Sequence, residues 1–174
     1  MKQVILPISE AIKKELKAYD YIHLTGKLYT MRDAAHNRLI QMMKNKQALP
    51  IDLENACIYY TGPTPKKEGR IGSIGPTTAY RMDAYMPYLT NINCTIGKGP
   101  RNKQVQNMAK ENHILYLNAI GGIGAKLSLC VESMELIAFP DLGPEAIYEL
   151  WVKDFPVIVA YDCEGNSIFK EEEK

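Results

Sequence analysis

The sequence has few cysteines, and their spacing argues against a metal site built from this chain alone. Four occur among 174 residues, and no two stand in the Cys-x-x-Cys spacing that is typical of zinc and iron–sulfur ligands. They are Cys57, Cys94, Cys130 and Cys163. We therefore expect no metal ligated by this chain, and predict reduced cysteines that are mostly buried as small apolar residues.

The sequence also lacks an excess of charge of one sign. The 21 Lys and Arg residues nearly balance the 20 Asp and Glu residues, which leaves a formal net charge of +1. Nucleic-acid binding needs a basic stripe, and none is present. The charged tail at residues 170–174 is predicted to be a frayed, solvated end.

Long apolar runs, repeats and linkers are absent as well. The start of the chain has a short apolar run followed by polar sequence, which predicts neither a signal peptide nor a membrane span. We therefore expect a cytoplasmic protein without a membrane partner. The length suits one domain with a real core, so a single domain over residues 1–174 is predicted.

What is present is an alternation of strand and helix signals. Strands are predicted over residues 2–6, 21–24, 57–60, 71–74, 94–96, 114–117, 131–139 and 157–161. Helices are predicted over residues 9–18, 30–46, 78–89, 102–112 and 143–150, and a hairpin turn over 162–166. This order favours an α/β fold with mixed parallel and antiparallel sheet content.

The segment from Gly75 to Asp83 suggests the most chemistry, because it predicts a tight turn that enters a helix. Pro76 suits a turn or a first helical position, and Thr77 or Thr78 is predicted to cap the helix through its hydroxyl. Unpaired N–H groups at such a helix start bind anions. Arg81 follows Thr77 by one helical turn, so this segment predicts a site for a carboxylate or a phosphate.

Three cationic side chains follow predicted strands: Arg32, Arg81 and Lys98. Loops at strand ends are where α/β proteins place ligands, and two guanidinium groups with an ammonium group suit a small dicarboxylate. Taken singly, each cation is better explained as a surface charge or a structural salt bridge. Likewise, capping alone explains a threonine, and a hydroxyl is a poor base without an activating neighbour.

Short motifs in a specific order extend this pattern over nearly the whole chain, from about residue 4 to 169. They are Thr25-Gly26, Arg32 to Arg38, Tyr59 to Pro63, Gly75 to Asp83, Gly97-Lys98-Gly99, Gly121-Gly122, Leu142 to Ile147, Asp154-Phe155-Pro156, and Asp162 with Gly165-Asn166. The ordered set resembles the β subunit of the iron–sulfur (class I) fumarate hydratases and of the related L(+)-tartrate dehydratases. In single-chain members of that family, the same unit is the C-terminal domain.

The resemblance implies a swivelling β/β/α domain with three layers and mixed parallel and antiparallel sheets. It also implies a hydro-lyase that interconverts fumarate and malate. The family's [4Fe–4S] cluster is ligated by a partner α subunit, and the active site lies between the two subunits. We therefore expect an (αβ)2 assembly, with no activity from this chain without its α subunit.

The resemblance also implies separate roles for the residues singled out above. Arg32, Arg81 and Lys98 would hold the substrate carboxylates, and Thr77 would sit at the proton-transfer position. Removal of a proton beside a carboxylate builds negative charge there, which fixed cations stabilise. The cluster iron would act as a Lewis acid on the leaving hydroxyl. Thr77 could act as the base only if a group of the partner subunit takes up its proton.

Tyr80 is the main departure from the family pattern, because fumarase members usually have glycine there. Its side chain could narrow the pocket or offer a phenol to a substrate hydroxyl. The other motifs favour fumarate as the substrate. Two alternatives stay open: an L(+)-tartrate dehydratase β subunit, and a non-catalytic module of the same fold that binds an anion or regulates.

Overall fold

Strands and helices alternate along the computed structural model, which describes residues 2–65 and 69–169. The strands are β1 (Lys2–Ile5), β2 (Tyr21–Thr30), β3 (Cys57–Tyr59), β4 (Cys94–Gly97), β5 (Leu115–Asn118), β6 (Val131–Ala138) and β7 (Ile147–Tyr161). The α-helices are α1 (Glu10–Glu15), α2 (Asp33–Lys44), α3 (Lys103–Glu111) and α4 (Gly124–Leu127). Short 3-10 helices span Ala79–Tyr88, Ser128–Cys130 and Pro140–Glu145.

Five of the strands close into a barrel-like sheet. The pairs β2–β3, β3–β4 and β4–β5 are parallel, and β7 closes the ring by pairing antiparallel with both β5 and β2. Outside the ring, β1 extends β2 in parallel and β6 extends β7 in antiparallel fashion. The predicted α/β class with a mixed sheet is therefore confirmed. Because β2 to β5 run in one direction, their carboxyl ends form one rim of the barrel, where α/β proteins place ligands.

Two apolar clusters pack on opposite faces of the barrel wall. Strand residues alternate between the faces, so Tyr59 joins one cluster and its neighbours Ile58 and Tyr60 join the other. The first cluster draws on all five barrel strands and on α1, and the second lies beneath α2, α3 and the 3-10 helix Ala79–Tyr88. Within residues 2–65 and 69–169, no helix combines the length and apolar character that crossing a membrane requires.

The predicted end of the second strand near Gly26 is wrong. Strand β2 continues to Thr30, and Gly26 has φ 136°. The pairing of β2 with β7 shifts register between Leu24 and Gly26, so the glycine is accommodated as an irregularity inside the strand. As a consequence, Arg32 lies only two residues after the end of this strand.

Two other predicted elements are also wrong. Residues 71–74 form no strand; Ser73 instead exchanges hydrogen bonds with Thr64, through its amide to Oγ1 at 2.8 Å and its carbonyl to the Thr64 amide at 3.0 Å. The helix predicted over 143–150 is replaced by a 3-10 helix that ends at Glu145 and by β7, which begins at Ile147. Gly143 has φ 56° and ψ −122°, which breaks any helix there. The predicted frayed tail at 170–174 lies outside the described residues.

Candidate active site

Backbone hydrogen bonds attach the segment around Thr77 to the ends of two barrel strands. The Thr77 amide donates to the carbonyl of Tyr60, just after β3, at 2.6 Å. The Lys98 amide, just after β4, donates to the Thr77 carbonyl at 3.1 Å, and the Ala79 amide donates to the Lys98 carbonyl at 2.9 Å. Thr77 and Lys98 are therefore neighbours whose backbone positions are set by the sheet.

Gly97 makes this close approach possible. A Cβ at Gly97 would lie 2.9 Å from a ring carbon of Tyr60, 3.1 Å from the Ala79 Cβ and 3.3 Å from the Thr77 carbonyl oxygen. Such contacts are too short, so a larger residue would push the Thr77 segment away from β4. The glycine before Lys98 is needed because the neighbouring chain is close.

The helix that follows Thr77 is a 3-10 helix, and it does not begin as predicted. Thr78 occupies its N-cap position without making a side-chain cap hydrogen bond. The amides of Thr77 and Ala79 already donate within the protein. The predicted hydroxyl cap is therefore wrong, and two of the amides that were predicted to be unpaired already have partners.

Asp33 brings the two predicted arginines together. The Arg81 Nη2 donates to Asp33 Oδ2 at 2.8 Å, and the Arg32 Nη2 lies 4.0 Å from the same oxygen. Arg32 is the N-cap residue of α2, while Arg81 lies in the 3-10 helix Ala79–Tyr88. One carboxylate therefore joins the ends of two elements that are far apart in sequence.

Arg32 has a second carboxylate partner and a tight packing surface. Its Nη2 lies 3.3 Å from Glu145 Oε1, while Glu145 Oε2 accepts a hydrogen bond from the Ala34 amide at 3.0 Å. A Cβ at Gly62 would lie 3.2 Å from Arg32 Cδ, so the arginine stem packs against this glycine. The Arg32 side chain is 26% exposed, compared with 50% for Arg81. Arg32 is thus held on several sides, whereas Arg81 is more open.

A second arginine–aspartate pair lies on the buried side of the same 3-10 helix. The Arg101 Nε donates to Asp83 Oδ1 at 2.7 Å, and the two side chains are only 2% and 4% exposed. The Arg101 Nη1 donates to the Tyr60 hydroxyl and to Thr95 Oγ1, both at 3.0 Å. The guanidinium also lies over the rings of Tyr60 and Tyr116, 5.2 and 5.3 Å from their centroids.

His36 lies between the two arginine–aspartate pairs. Its Nδ1 is 2.8 Å from the Arg32 carbonyl, and its ring stacks on Tyr85 and meets Tyr60 edge-on. Burial lowers the pKa of His36 from 6.5 to about 4, against the opposing effect of the hydrogen bond to Arg32. The ring is therefore neutral near pH 7, with its proton on Nδ1 donating to the Arg32 carbonyl.

The structure places all five predicted site residues along this rim, although in two groups. One group is Arg32 and Arg81, joined through Asp33, and the other is Thr77 and Lys98, joined by the backbone. Tyr80 is 62% exposed, so most of its ring is open to solvent in this chain.

Sequence reasoning missed the roles of Asp33 and Glu145 as partners of the predicted arginines, and it missed Arg101, which pairs with Asp83. Asp33 could have been suspected, since it directly follows Arg32 and opens α2. Glu145 and Arg101 had no local signal, because both act through contacts that only the folded chain creates.

No metal site is evident from the same geometry. Among residues 2–65 and 69–169, no cluster of three or more His, Cys, Asp or Glu side chains could hold a metal ion. Cys57 and Cys94 are buried opposite each other on β3 and β4. The other two, Cys130 and Cys163, are partly buried and lie elsewhere.

The sequence is similar over nearly its full length to proteins of one family. Residues 2–172 match the profile of the family described as "Fumarase C-terminus". A protein of Methanocaldococcus jannaschii, provisionally named L(+)-tartrate dehydratase subunit beta, is 42% identical over 92% of this chain and 87% of its own length. Fumarate hydratase 2 of Leishmania major is 36% identical over 93% of this chain. The aerobic class I fumarate hydratase of Escherichia coli K12 is 38% identical over 86% of it.

The relatives differ in how much of each this chain represents. The chain spans 30% of the Leishmania protein and 28% of the Escherichia protein, but 87% of the archaeal subunit. It therefore corresponds to one part of the long fumarate hydratases and to nearly all of the separate subunit. The predicted resemblance is confirmed, and this chain belongs to the Fumarase C-terminus family, that of the β subunits of class I fumarate hydratases and L(+)-tartrate dehydratases.

Proposed function

We propose that this chain is the β subunit of a two-component iron–sulfur hydro-lyase that catalyses the reversible hydration of fumarate to L-malate. The main observation is the arrangement of cations beside a threonine at the rim of the barrel, in a chain of this family. Fixed guanidinium groups suit the charge that develops on a substrate carboxylate when the neighbouring carbon loses a proton. The names of the relatives support the same reaction class.

The proposal divides the work between the two groups of residues. Arg32 and Arg81 hold one carboxylate of the substrate as guanidinium forks, and Lys98 attracts the other as a point charge. Thr77 exchanges the proton, and its backbone is hydrogen-bonded to the backbone of Lys98. No described side chain is hydrogen-bonded to the Thr77 hydroxyl, so the group that accepts its proton is assigned to the α subunit.

The cluster is also assigned to the α subunit. The cysteines of this chain do not fit a [4Fe–4S] site, because two are buried in the barrel wall and no group of three or more potential ligands comes together among the described residues. The name of the archaeal relative, a subunit beta, supports a partner subunit. An (αβ)2 assembly, a cytoplasmic location and the three-layer arrangement of a swivelling β/β/α domain stay predictions.

Activity after assembly tests this proposal. The chain should be inactive by itself and should hydrate fumarate after it is combined anaerobically with an α subunit that contains its cluster. Thr77→Ala should abolish turnover in the assembled enzyme while fumarate still binds. If a competent α subunit neither binds nor gains activity, the proposal fails. If Thr77→Ala retains full turnover, the role of Thr77 fails by itself.

L(+)-tartrate dehydration is the second candidate reaction. It is favoured by the archaeal relative, which matches this chain at 42% identity and with similar length. Comparing kcat/KM for L-malate and L(+)-tartrate in the assembled enzyme decides between them. A third possibility, a non-catalytic module that binds an anion, predicts diacid binding without turnover of either substrate.

A further inference from the structure

Asp33 is the described residue that contacts both arginines of the proposed carboxylate site. Its Oδ2 accepts a hydrogen bond from Arg81 at 2.8 Å and lies 4.0 Å from Arg32. Two guanidinium groups repel each other when they approach without an anion between them. A carboxylate in this position allows the two forks to stand side by side in the ligand-free protein.

The two arginines depend on Asp33 to different extents. Arg32 also contacts Glu145 and packs against Gly62, so it keeps its place without Asp33. Within the described ranges, the ion pair of Arg81 is the one with Asp33, and the Arg81 side chain is half exposed. A long exposed side chain loses its preferred orientation readily when its partner is removed. Asp33 is therefore the residue that orients Arg81 relative to Arg32.

Glu145 completes the arrangement from the other side. It holds Arg32 through Oε1 and the first turn of α2 through Oε2. Asp33 belongs to that same first turn. The start of α2, Arg32 and Asp33 are thus fixed as one unit, and Arg81 is attached to it through Asp33.

We propose that Asp33 is a positioning residue for substrate binding, which sets the spacing and orientation of the Arg32 and Arg81 guanidinium groups that receive a dicarboxylate. This inference rests on the proposed function of the same rim and adds to it a residue that does not touch the substrate itself. Only one Nη2 donor of Arg81 is used by Asp33, which leaves its other donors for the ligand.

Substituting Asp33 changes the affinity for a dianion in two opposite ways, one electrostatic and one geometric. Whether binding becomes tighter or weaker therefore shows which of the two is larger. Asp33→Asn removes a negative charge near the ligand, which by itself would tighten binding of a dianion. It also loosens the hold on Arg81, because the amide oxygen still accepts a hydrogen bond but no longer attracts the guanidinium charge, and a less fixed Arg81 weakens bidentate binding. The Asp33 side chain is 30% exposed, so solvent screens its charge and the loss of orientation dominates. We therefore expect weaker binding.

Two measurements with a matched control test the inference. The first is fumarate titration of the full 174-residue chain labelled with 15N-arginine, followed through the side-chain signals of Arg32 and Arg81 by NMR. The second is KM and kcat for fumarate in the assembled enzyme. Asp33→Asn should raise Kd and KM by about 10-fold and change kcat less, the size expected for a charge-assisted contact. Asp33→Glu, which keeps the charge, should recover part of this loss.

The control is Asp141→Asn, which removes a different surface carboxylate from an arginine. Asp141 pairs with Arg38 through two contacts of 2.7 Å and lies outside the proposed site. Its Kd and KM should stay within about twofold of the wild-type values, since exposed ion pairs contribute little. Unfolding temperatures of the two variants should be similar, which separates a change in the site from a change in stability.

The outcomes separate this inference from the proposed function. Unchanged or tighter fumarate binding by Asp33→Asn in both measurements overturns the role of Asp33. If the assembled wild-type enzyme turns over neither malate nor tartrate, but fumarate binds the chain in an Asp33-dependent way, the catalytic proposal fails and the role of Asp33 stands. If the wild type neither binds fumarate nor turns it over, both fail. If fumarate binds measurably only to the assembled enzyme, the KM values of the variants decide whether Asp33 has this role.

Discussion

Two arginine–aspartate pairs contact the 3-10 helix Ala79–Tyr88. They consist of the same residue types but differ in burial and in their other hydrogen-bond partners. Arg101 and Asp83 are almost fully buried; Arg101 also donates to tyrosine and threonine hydroxyls, and Asp83 accepts from the Asn102 amide. Arg81 and Asp33 are partly exposed, and Asp33 takes only one donor of the Arg81 guanidinium. The first pair is enclosed by the fold, whereas the second belongs to the proposed carboxylate site. The comparison therefore predicts that breaking the first pair affects stability and breaking the second affects binding.

The largest expected effect comes from breaking the buried pair. Arg101→Met leaves the Asp83 carboxylate buried without its cation, which should reduce the free energy of unfolding by about 3–5 kcal/mol. Chemical denaturation measures this. Arg38→Met is the control, because Arg38 forms an exposed pair with Asp141 and its loss should cost less than about 1 kcal/mol. Equal losses for the two variants would contradict the assignment of Arg101 to the fold.

The next effect concerns His36, which connects the two pairs. The unfolded chain takes up a proton near pH 6.5, but the folded chain resists it until about pH 4, because the ring is buried. His36 therefore costs no stability above pH 6.5, and stability is lost as the pH falls from 6.5 to 4. The loss should reach roughly 3 kcal/mol, at 1.36 kcal/mol for each pKa unit.

His36→Gln provides the comparison for this pH dependence. The variant should be less stable near pH 7, because it loses the ring contacts with Tyr60 and Tyr85. Its unfolding free energy should nevertheless fall less steeply than that of the wild type between pH 6.5 and 4. Parallel curves from urea denaturation would show that His36 does not titrate as described.

Breaking the exposed pair should affect activity and leave the fold intact. Arg81→Met removes a guanidinium fork from the proposed site, and kcat/KM of the assembled enzyme should fall by about 100-fold. Arg81→Lys should fall less, because it keeps the charge but loses the fork. The unfolding free energy of both variants should stay within about 0.5 kcal/mol of the wild type, as is usual for surface changes. A large loss of stability in the Arg81 variants would contradict the comparison, because it would mean that Arg81, like Arg101, supports the fold.

The smallest effect is expected at Tyr80, which neighbours Arg81 on the exposed side. Tyr80→Gly restores the residue that fumarase members usually have. Since most of the ring is exposed to solvent, the ratio of kcat/KM for malate to that for tartrate should change by less than about 10-fold. A larger change would mean that the ring enters the pocket when the α subunit is bound.

The sequence predicted the exposed pair only in part, and the buried pair not at all. Arg32 and Lys98 could be predicted because each follows a real strand, and the strand-end rule of α/β folds is local in sequence. Arg81 was predicted behind a strand over residues 71–74 that the structure does not contain. Asp33 and Arg81 are 48 residues apart, and Glu145 is 111 residues from the amide that it caps. No periodic pattern encodes such contacts, because they are created by closure of the barrel.

The same reason explains which elements were predicted correctly. Helices α2 and α3 and strands β4 and β5 follow from apolar periodicity and end signals within each segment. The start of β7 did not, because Gly143, Pro144 and Glu145 are equally suited to open a helix. Pairing with β2 and β6 decides in favour of a strand there. Tertiary pairing overrode the local signal at that position.

The backbone attachment of Thr77 between Tyr60 and Lys98 has a consequence for how this protein can change over evolutionary time. The hydrogen bonds that hold Thr77 come from main-chain groups, which most substitutions leave in place. Tyr80, three residues later, is exposed and supports no part of that attachment. Substitutions at position 80 can therefore change the exposed surface beside Arg81 while the backbone of Thr77 keeps its place between two barrel strands.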